Sequence, residues 1–525
     1  MTVHDPSHST ENEPATEQGL AGRLRSAAPV LLDRPLPPVD PDPAADAAGV
    51  LELLVNAVAE NPTNDRIWLL LTSIGAAYPT RTEVDSARRR FELLGHTAMV
   101  LWLLDAGLAV APIHGEPDAQ MDIVVGGVVV DVDHTAKYEL HTGIQRVSRS
   151  LLPLWNAQHD VVPAAWTSCD GALRGLSLPE LERVVHWFGR PTSTSRVATE
   201  AAMGEAASRP PRLVVPWRSV LVMVEVPPGE VSDRMAAIGD YSGNRLVGVA
   251  HDAIPVVSAD MVPPSDSSKF VRYLTSVKFA SRMAGVSAAA ASEIGGFVQT
   301  LATQGLTGPK VVEVALGSPS TGVVKSVPTR IATPTVLVVG SHEPRKNHLA
   351  VLHCSEILWR EGLRFSLVFI GGSGWGEEFP QRTAELQQAG RPIQVRRAVP
   401  EVYLEKAYAS AAFTVFPSLH DGFGLPVAES LSHGTPVVTS NFGSTAETGA
   451  HGGTLLIDPR VDTALTDAMR TLLTDPDALQ QLRREIPARP ERTWQDYADE
   501  LWDQLVEPEL SSLREVTEGV HHVNH

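Results

Sequence analysis

Basic residues are in deficit: 43 Lys and Arg stand against 62 Asp and Glu, a formal net charge of −19. That deficit argues against non-specific nucleic-acid binding, which runs on Lys and Arg contacts to phosphate. Cysteine is almost missing. The two present, Cys169 and Cys354, match no metal-ligand or redox spacing and read as inert thiols of a reducing compartment. No Phe, Trp or Tyr precedes Trp68, and proline is dense from Pro29 to Pro43, so residues 1–46 read as a disordered leader. The N-terminus, MTVHDPSHSTENEPATEQ, has no basic region followed by an apolar one, so no secretory signal is expected. The most apolar stretch, Ala98 to Pro112, is broken by Asp105 and reads as too short to span a bilayer. A cytoplasmic protein is expected, with room for a peripheral place at the inner face of a membrane.

What remains is the composition of an ordinary globular chain: 525 residues, 43% hydrophobic and 20% charged, enough for two to four domains. Residues 47–115 show helical periodicity, with Val50, Leu53, Leu54 and Val58 on one face. They read as a helical accessory module without chemistry of its own, suited to docking a second copy or a protein partner. From Asp122 onward, β-branched runs alternate with amphipathic segments: IVVGGVVVDVD, RLVVPW, SVLVMVE and RLVGVA, later TVLVVG, FSLVFIGG, AFTVFPS and TPVVTS. Continuous apolar runs alternating with helices predict parallel sheets covered on both faces. The α/β fold expected is two Rossmann-like, doubly wound domains, 120–330 and 331–490, divided near Thr329–Pro334. A terminal helix over 491–510 and a tail over 511–525 follow. In such sheets ligands bind beyond the carboxyl ends of the strands.

The segment HDGFGLPVAES follows one such strand. Gly422 and Gly424 free the backbone for close approach to a ligand, and Pro426 suits the first turn of a helix. The helix N-terminus offers unpaired amides and a positive dipole end, while Asp421 and Glu429 bracket the turn. Upstream, in TVLVVGSHEPRKNHL, Gly340 ends a strand and Arg345-Lys346 opens the next helix. Two cations at a helix N-terminus oppose its dipole, which an anionic partner such as a diphosphate would explain.

These segments resemble the donor-site signature of retaining nucleotide-sugar glycosyltransferases of the GT-B fold, family-four (group 1) type, including bacterial mannosyl and rhamnosyl transferases of surface-polysaccharide assembly. The resemblance covers about residues 120–508 and is stronger in the second half. It implies that Glu429 binds the ribose hydroxyls and that Asp421, where the family carries Glu, contacts the transferred sugar. The amides of Phe423, Gly424 and Leu425 would face the sugar and distal phosphate, and Lys346 with Arg345 would hold the diphosphate. In the first domain, the HTGIQRV segment resembles the family's glycine loop, with Gly143 at its centre. His251 matches the family's His-Asp segment and would contact donor sugar or acceptor; Gly371 and Gly372 would border the nucleotide. Asp131-Val132-Asp133 mimics the Asp-x-Asp metal site of the other major glycosyltransferase fold, and is read as coincidence.

The implied activity is metal-independent, retaining transfer from a nucleoside diphosphate sugar, with no cofactor. GDP-mannose is the first donor and dTDP-rhamnose the next. The acceptor is a hydroxyl of a saccharide, lipid-linked or protein partner. The alternative is an inactive transferase-like scaffold that partners an active enzyme.

Overall fold

The structure is a computed structural model that describes residues 13–140, 142–187, 212–318, 333–461 and 463–523. Residues 1–12, His141, residues 524–525 and the expected divide at 330/331 lie outside the described residues. Two sheets organise the chain. The first contains β1 (Met121–Val125), β2 (Val128–Asp131), β3 (Val161–Trp166), β4 (Leu173–Gly175), β5 (Leu213–Trp217), β6 (Val220–Met223), β7 (Arg245–Ala250), β8 (Arg282–Gly285) and β9 (Lys310–Glu313). Their order is β1-β5-β4-β3-β2-β6-β7-β8-β9, parallel except for β4, which runs antiparallel to both neighbours. The second contains β10 (Thr335–Val339), β11 (Ser366–Ile370), β12 (Ile393–Arg396), β13 (Phe413–Phe416), β14 (Val437–Ser440) and β15 (Thr454–Ile457). Its order, β12-β11-β10-β13-β14-β15, is wholly parallel among the described residues. Strands β2, β5, β6, β13 and β14 are buried at every position and are predominantly apolar, with Asp131, Thr414, Thr439 and Ser440 the buried polar exceptions. This is the GT-B architecture of two doubly wound domains, with helices at the N-terminus.

Several expectations are corrected. The run IVVGGVVVDVD is two strands. Gly126, at φ +63°, turns the chain, leaving β1 on the sheet edge beside β5 and β2 near the centre between β3 and β6. The leader is also structured: α1 (Glu13–Leu31) buries Leu24, Ala27, Ala28 and Leu31. Its packing depends on a small residue at Gly19, where a Cβ would lie 2.2 Å from the Pro117 carbonyl, while Gly22 faces the movable end of the Gln120 side chain. Arg23 is buried there too, donating to the carbonyls of Ser73 (2.9 Å), Pro117 (2.5 Å) and Ala119 (2.9 Å).

Thirdly, the helices α2 (Pro43–Glu60), α3 (Asn64–Gly75), α4 (Arg81–Leu93) and α5 (His96–His114) are no separate module. Their core is continuous with the first sheet through Trp68, Tyr78 and Trp166, whose rings are 5.3 and 5.8 Å apart, and the Tyr78 hydroxyl donates to the Val214 carbonyl of β5. Helix α5 has 19 residues and is long and apolar enough to cross a membrane by length and composition, against the expectation of too short a run. It buries Met99, Leu103 and Gly107 and leaves Leu101, Leu108 and Ile113 exposed.

At its other end the chain returns to the first domain. Helix Trp494–Leu501 continues through a π-helical turn, Trp502–Val506, into helix Glu507–Val523, so residues 511–523 extend a helix where a tail was expected. Tyr497, Leu501, Leu505 and Leu513 join the core beneath β2 and β6, and the Trp155 indole donates to the Ala498 carbonyl at 3.0 Å. Where the chain leaves the first domain and where it re-enters run side by side. The Ser318 amide donates to the Arg492 carbonyl (2.9 Å), Arg492 Nε donates to the Ala315 carbonyl (2.7 Å), and a Cβ on Gly317 would lie 2.3 Å from the Thr493 carbonyl.

Candidate active site

The carboxyl ends of β10, β11 and β13 in the second domain face those of β2 and β7 in the first. Gly340 ends β10 at φ +146°, and a Cβ on Gly371, just past β11, would lie 1.8 Å from its carbonyl. The His342 amide donates to the Gly372 carbonyl at 3.0 Å, so the two loops form one layer. Arg345 and Lys346 lie on the short 3₁₀ turn Pro344–Lys346, ahead of the helix His348–Arg360 that they were expected to open. Asn347, at φ +58°, separates them from that helix.

From this turn both cations reach the HDGFGLP loop. The Lys346 ammonium pairs directly with the Asp421 carboxylate and lies 4.9 Å from the Phe416 ring centroid. Arg345 stands 3.8 Å from Asp421, pairs with Glu343 (2.8 Å) and donates to the His420 carbonyl (3.2 Å). Burial pushes the Asp421 carboxyl up, but Lys346 and Arg345 outweigh it and hold it below the usual carboxylate range. Asp421 is therefore an anion resting on the cations expected to hold a diphosphate.

Gly422 is required by close contact: a Cβ there would lie 2.0 Å from the His251 carbonyl. Its own carbonyl accepts from the Ser287 hydroxyl at 2.6 Å. His251 thus touches the turn through its backbone. Its imidazole Nε2–H donates to the Val224 carbonyl at 2.8 Å, and burial pushes its pKa down to about 4, so the ring is neutral. Gly424, at φ +87°, precedes the helix Leu425–Ser432, and Phe423 and Leu425 pack against the first domain's core. Gly143, first residue of the helix Gly143–Gln158, meets them there: a Cβ on it would lie 3.7 Å from Leu425 Cδ1. Two helix N-termini, one per domain, therefore face each other across the cleft.

Glu429, one turn into its helix, is buried. The Tyr408 hydroxyl donates to it at 2.8 Å, and Arg146 of the first domain pairs with its other oxygen. Arg146 escaped the sequence reading although it lies within the quoted TGIQRV segment, where attention fell on Gly143. Two further cross-domain contacts were not anticipated. Glu447 accepts from the amides of Ala288 and Ala289 (2.9 Å each) at the start of the helix Ala288–Thr303. His420 binds Glu293 through Nε2 (2.6 Å) and the Ser258 hydroxyl through Nδ1 (2.7 Å).

Asp131 and Asp133 point to structural partners. Asp131 accepts from the Trp166 indole (3.0 Å) and the Asp133 amide (3.1 Å); Asp133 accepts from the Trp166 amide (2.8 Å) and pairs with Lys137 (2.8 Å). Burial, helped by Asp133, pushes Asp131 up to about 8.

Residues 326–489 match the family model of glycosyl transferases group 1, a stretch that contains Gly340, Lys346, Asp421 and Glu429. Over that stretch the chain is similar to the glycosyl transferases of group 1. Among curated relatives, O-antigen chain mannosyltransferase B of Escherichia coli is 35% identical over 141 residues, covering 26% of this chain and 37% of the relative. The serotype-specific mannosyltransferase WbdA of Escherichia coli is 25% identical over 335 residues, 59% of this chain and 38% of the relative. The matched stretches thus span less than two fifths of these relatives. Among solved structures, sucrose-phosphate synthase from Thermosynechococcus elongatus aligns over 72% of this chain and 97% of its own, at 16% identity and a TM-score of 0.49. The match ends before the returning helix at Trp494, which packs against the first domain's core.

Proposed function

We propose that the protein is a retaining glycosyltransferase that moves a sugar from a nucleoside diphosphate sugar to an acceptor hydroxyl in polysaccharide or glycoconjugate synthesis. The observation that carries this reading is the convergence of Arg345, Lys346 and Asp421 at a cleft where two helix N-termini meet, with Glu429 one turn behind. Mannosyltransferases of O-antigen assembly among the relatives support GDP-mannose as the first donor to test.

In this mechanism Glu429 accepts from the ribose hydroxyls, and Lys346 and Arg345 neutralise the diphosphate as it leaves, stabilising charge that develops in the transition state. The bond from sugar C1 to the phosphate oxygen breaks while C1 bonds to the acceptor oxygen on the same face. The acceptor proton passes to the departing phosphate. Asp421 turns from Lys346 toward a sugar hydroxyl once the diphosphate takes over the ammonium. Protein cations and helix dipoles do the work a metal ion does elsewhere, so neither metal nor cofactor is assigned.

The test is donor hydrolysis by the purified chain across GDP-, UDP-, ADP- and dTDP-sugars, followed by transfer to saccharide and lipid-linked acceptors. Release of a nucleoside diphosphate from one donor supports the reading. The engagement of Asp421 by Lys346 favours a second reading, an inactive scaffold partnering an active transferase, and no release from any donor would select it.

A further inference from the structure

Arg146 is the only residue of the first domain that the described ion pairs bring to Glu429. It projects from the first turn of the helix Gly143–Gln158 and forks: one terminal nitrogen pairs with Glu429 and the other with Glu401 at 2.7 Å. Its side chain is 17% exposed and that of Glu429 only 4%, so the contact is shielded from water. Tyr408 holds the second oxygen of Glu429 at 2.8 Å. A carboxylate offers about four lone-pair sites. Two are taken by Arg146 and Tyr408, which leaves two on a carboxylate whose plane is fixed, a match for two neighbouring hydroxyls.

We propose that Arg146 is a positioning residue of the donor site, which fixes the Glu429 carboxylate, from the opposite domain, in the orientation that two ribose hydroxyls of a nucleotide need. The proposal rests on the assignment of Glu429 to the ribose made above. The geometry also makes Arg146 a link between nucleotide and domain closure, because the fork exists only while the two domains meet. Its charge matters as well. Burial pushes the Glu429 carboxyl up, and Arg146 is the foremost group opposing this. The remaining groups facing Glu429 are Tyr408 and Glu401 on the helix Glu401–Ser410 and His433 at the end of its own helix. None replaces a guanidinium. Without Arg146, Glu429 takes up a proton more readily, and a neutral acid is a poorer acceptor for hydroxyls.

The experiment is calorimetric titration of the full chain with GDP, UDP, ADP and dTDP, and with the 2′,3′-dideoxy form of whichever ribonucleotide binds. It is run as a pH series from mildly acid to mildly alkaline, because burial raises the Glu429 carboxyl. Proteins are wild type, Glu429→Gln, Arg146→Met and Arg146→Lys. Arg146→Met should weaken ribonucleotide binding about tenfold at the acid end, recover toward the alkaline end, and bind the dideoxynucleotide like wild type. Arg146→Lys, which keeps the charge and loses the fork, should bind the ribonucleotide less well than wild type with no added pH dependence. It serves alone if the Met variant fails to fold. Wild-type ribonucleotide affinity in both variants, or equal loss of the ribo and dideoxy forms, overturns the role of Arg146. Unchanged binding by Glu429→Gln overturns the ribose assignment instead, so the two failures are distinct.

Discussion

Lys346 and Asp421, 75 residues apart in sequence, form a buried ion pair that joins the loop after β10 to the loop after β13. The Asp421 carboxylate sits on the ammonium that the proposed mechanism gives to the diphosphate. Breaking such a pair from one side leaves an uncompensated charge, a loss of about 3–5 kcal/mol. Lys346→Met should therefore lower both unfolding free energy in urea and turnover with every donor. A defect confined to one sugar would show that Lys346 reads the sugar. Asp421→Asn should reduce turnover while leaving free nucleotide binding nearly unchanged by calorimetry.

His420 and Glu293 give the domain contact a pH dependence. Burial opposes the charged imidazole, but the hydrogen bond and charge of Glu293 outweigh it and raise the His420 pKa above 6.5. The stabilisation is therefore fully present below the ordinary histidine pKa and is lost as pH rises through the raised value. The melting temperature of wild type should exceed that of Glu293→Gln at about pH 6 and converge with it at about pH 9. A constant gap across that range would show that the pair does not titrate.

The N-terminal helix should behave as core. Leu24 is fully buried, and Leu24→Ala should cost about 2–5 kcal/mol of unfolding free energy. Deletion of residues 1–46 should lower the melting temperature or yield insoluble protein. Unchanged melting after that deletion would mean that α1 contributes nothing to the fold.

Transfer should survive EDTA. Asp131 uses both oxygens, on the Trp166 indole and the Asp133 amide, and Asp133 Oδ1 takes the Trp166 amide and Lys137, so the pair is poorly placed to leave for an ion. Loss of activity restored by manganese would overturn this.

The glycine turn was legible in the sequence because its demands are local. A backbone that must reach φ +87° at Gly424, or lie so near a neighbouring carbonyl that a Cβ on Gly422 would be 2.0 Å from it, writes glycine into the chain whatever surrounds it. The alternation of strands and helices was legible for a similar reason, since strands buried on both faces are predominantly apolar. Arg146 was not legible, because an arginine near a helix start has no signature until the opposite domain supplies Glu429 and Glu401. Nor was α1: aromatic scarcity suggested disorder, whereas Ala27, Ala28 and Gly19 pack by being small. The IVVGGVVVDVD run misled for want of any local sign that its halves pair with different neighbours.

The seam where Ala315–Ser318 lies against Arg492–Thr493 has a mechanical consequence. A protein with one crossing between lobes can swivel about any axis through that point. Here outgoing and returning chain are fastened together, and the returning helix is anchored in the far lobe by Tyr497 and Leu501. Two lengths of chain fastened side by side resist twisting and sliding of one lobe against the other more than a single crossing would.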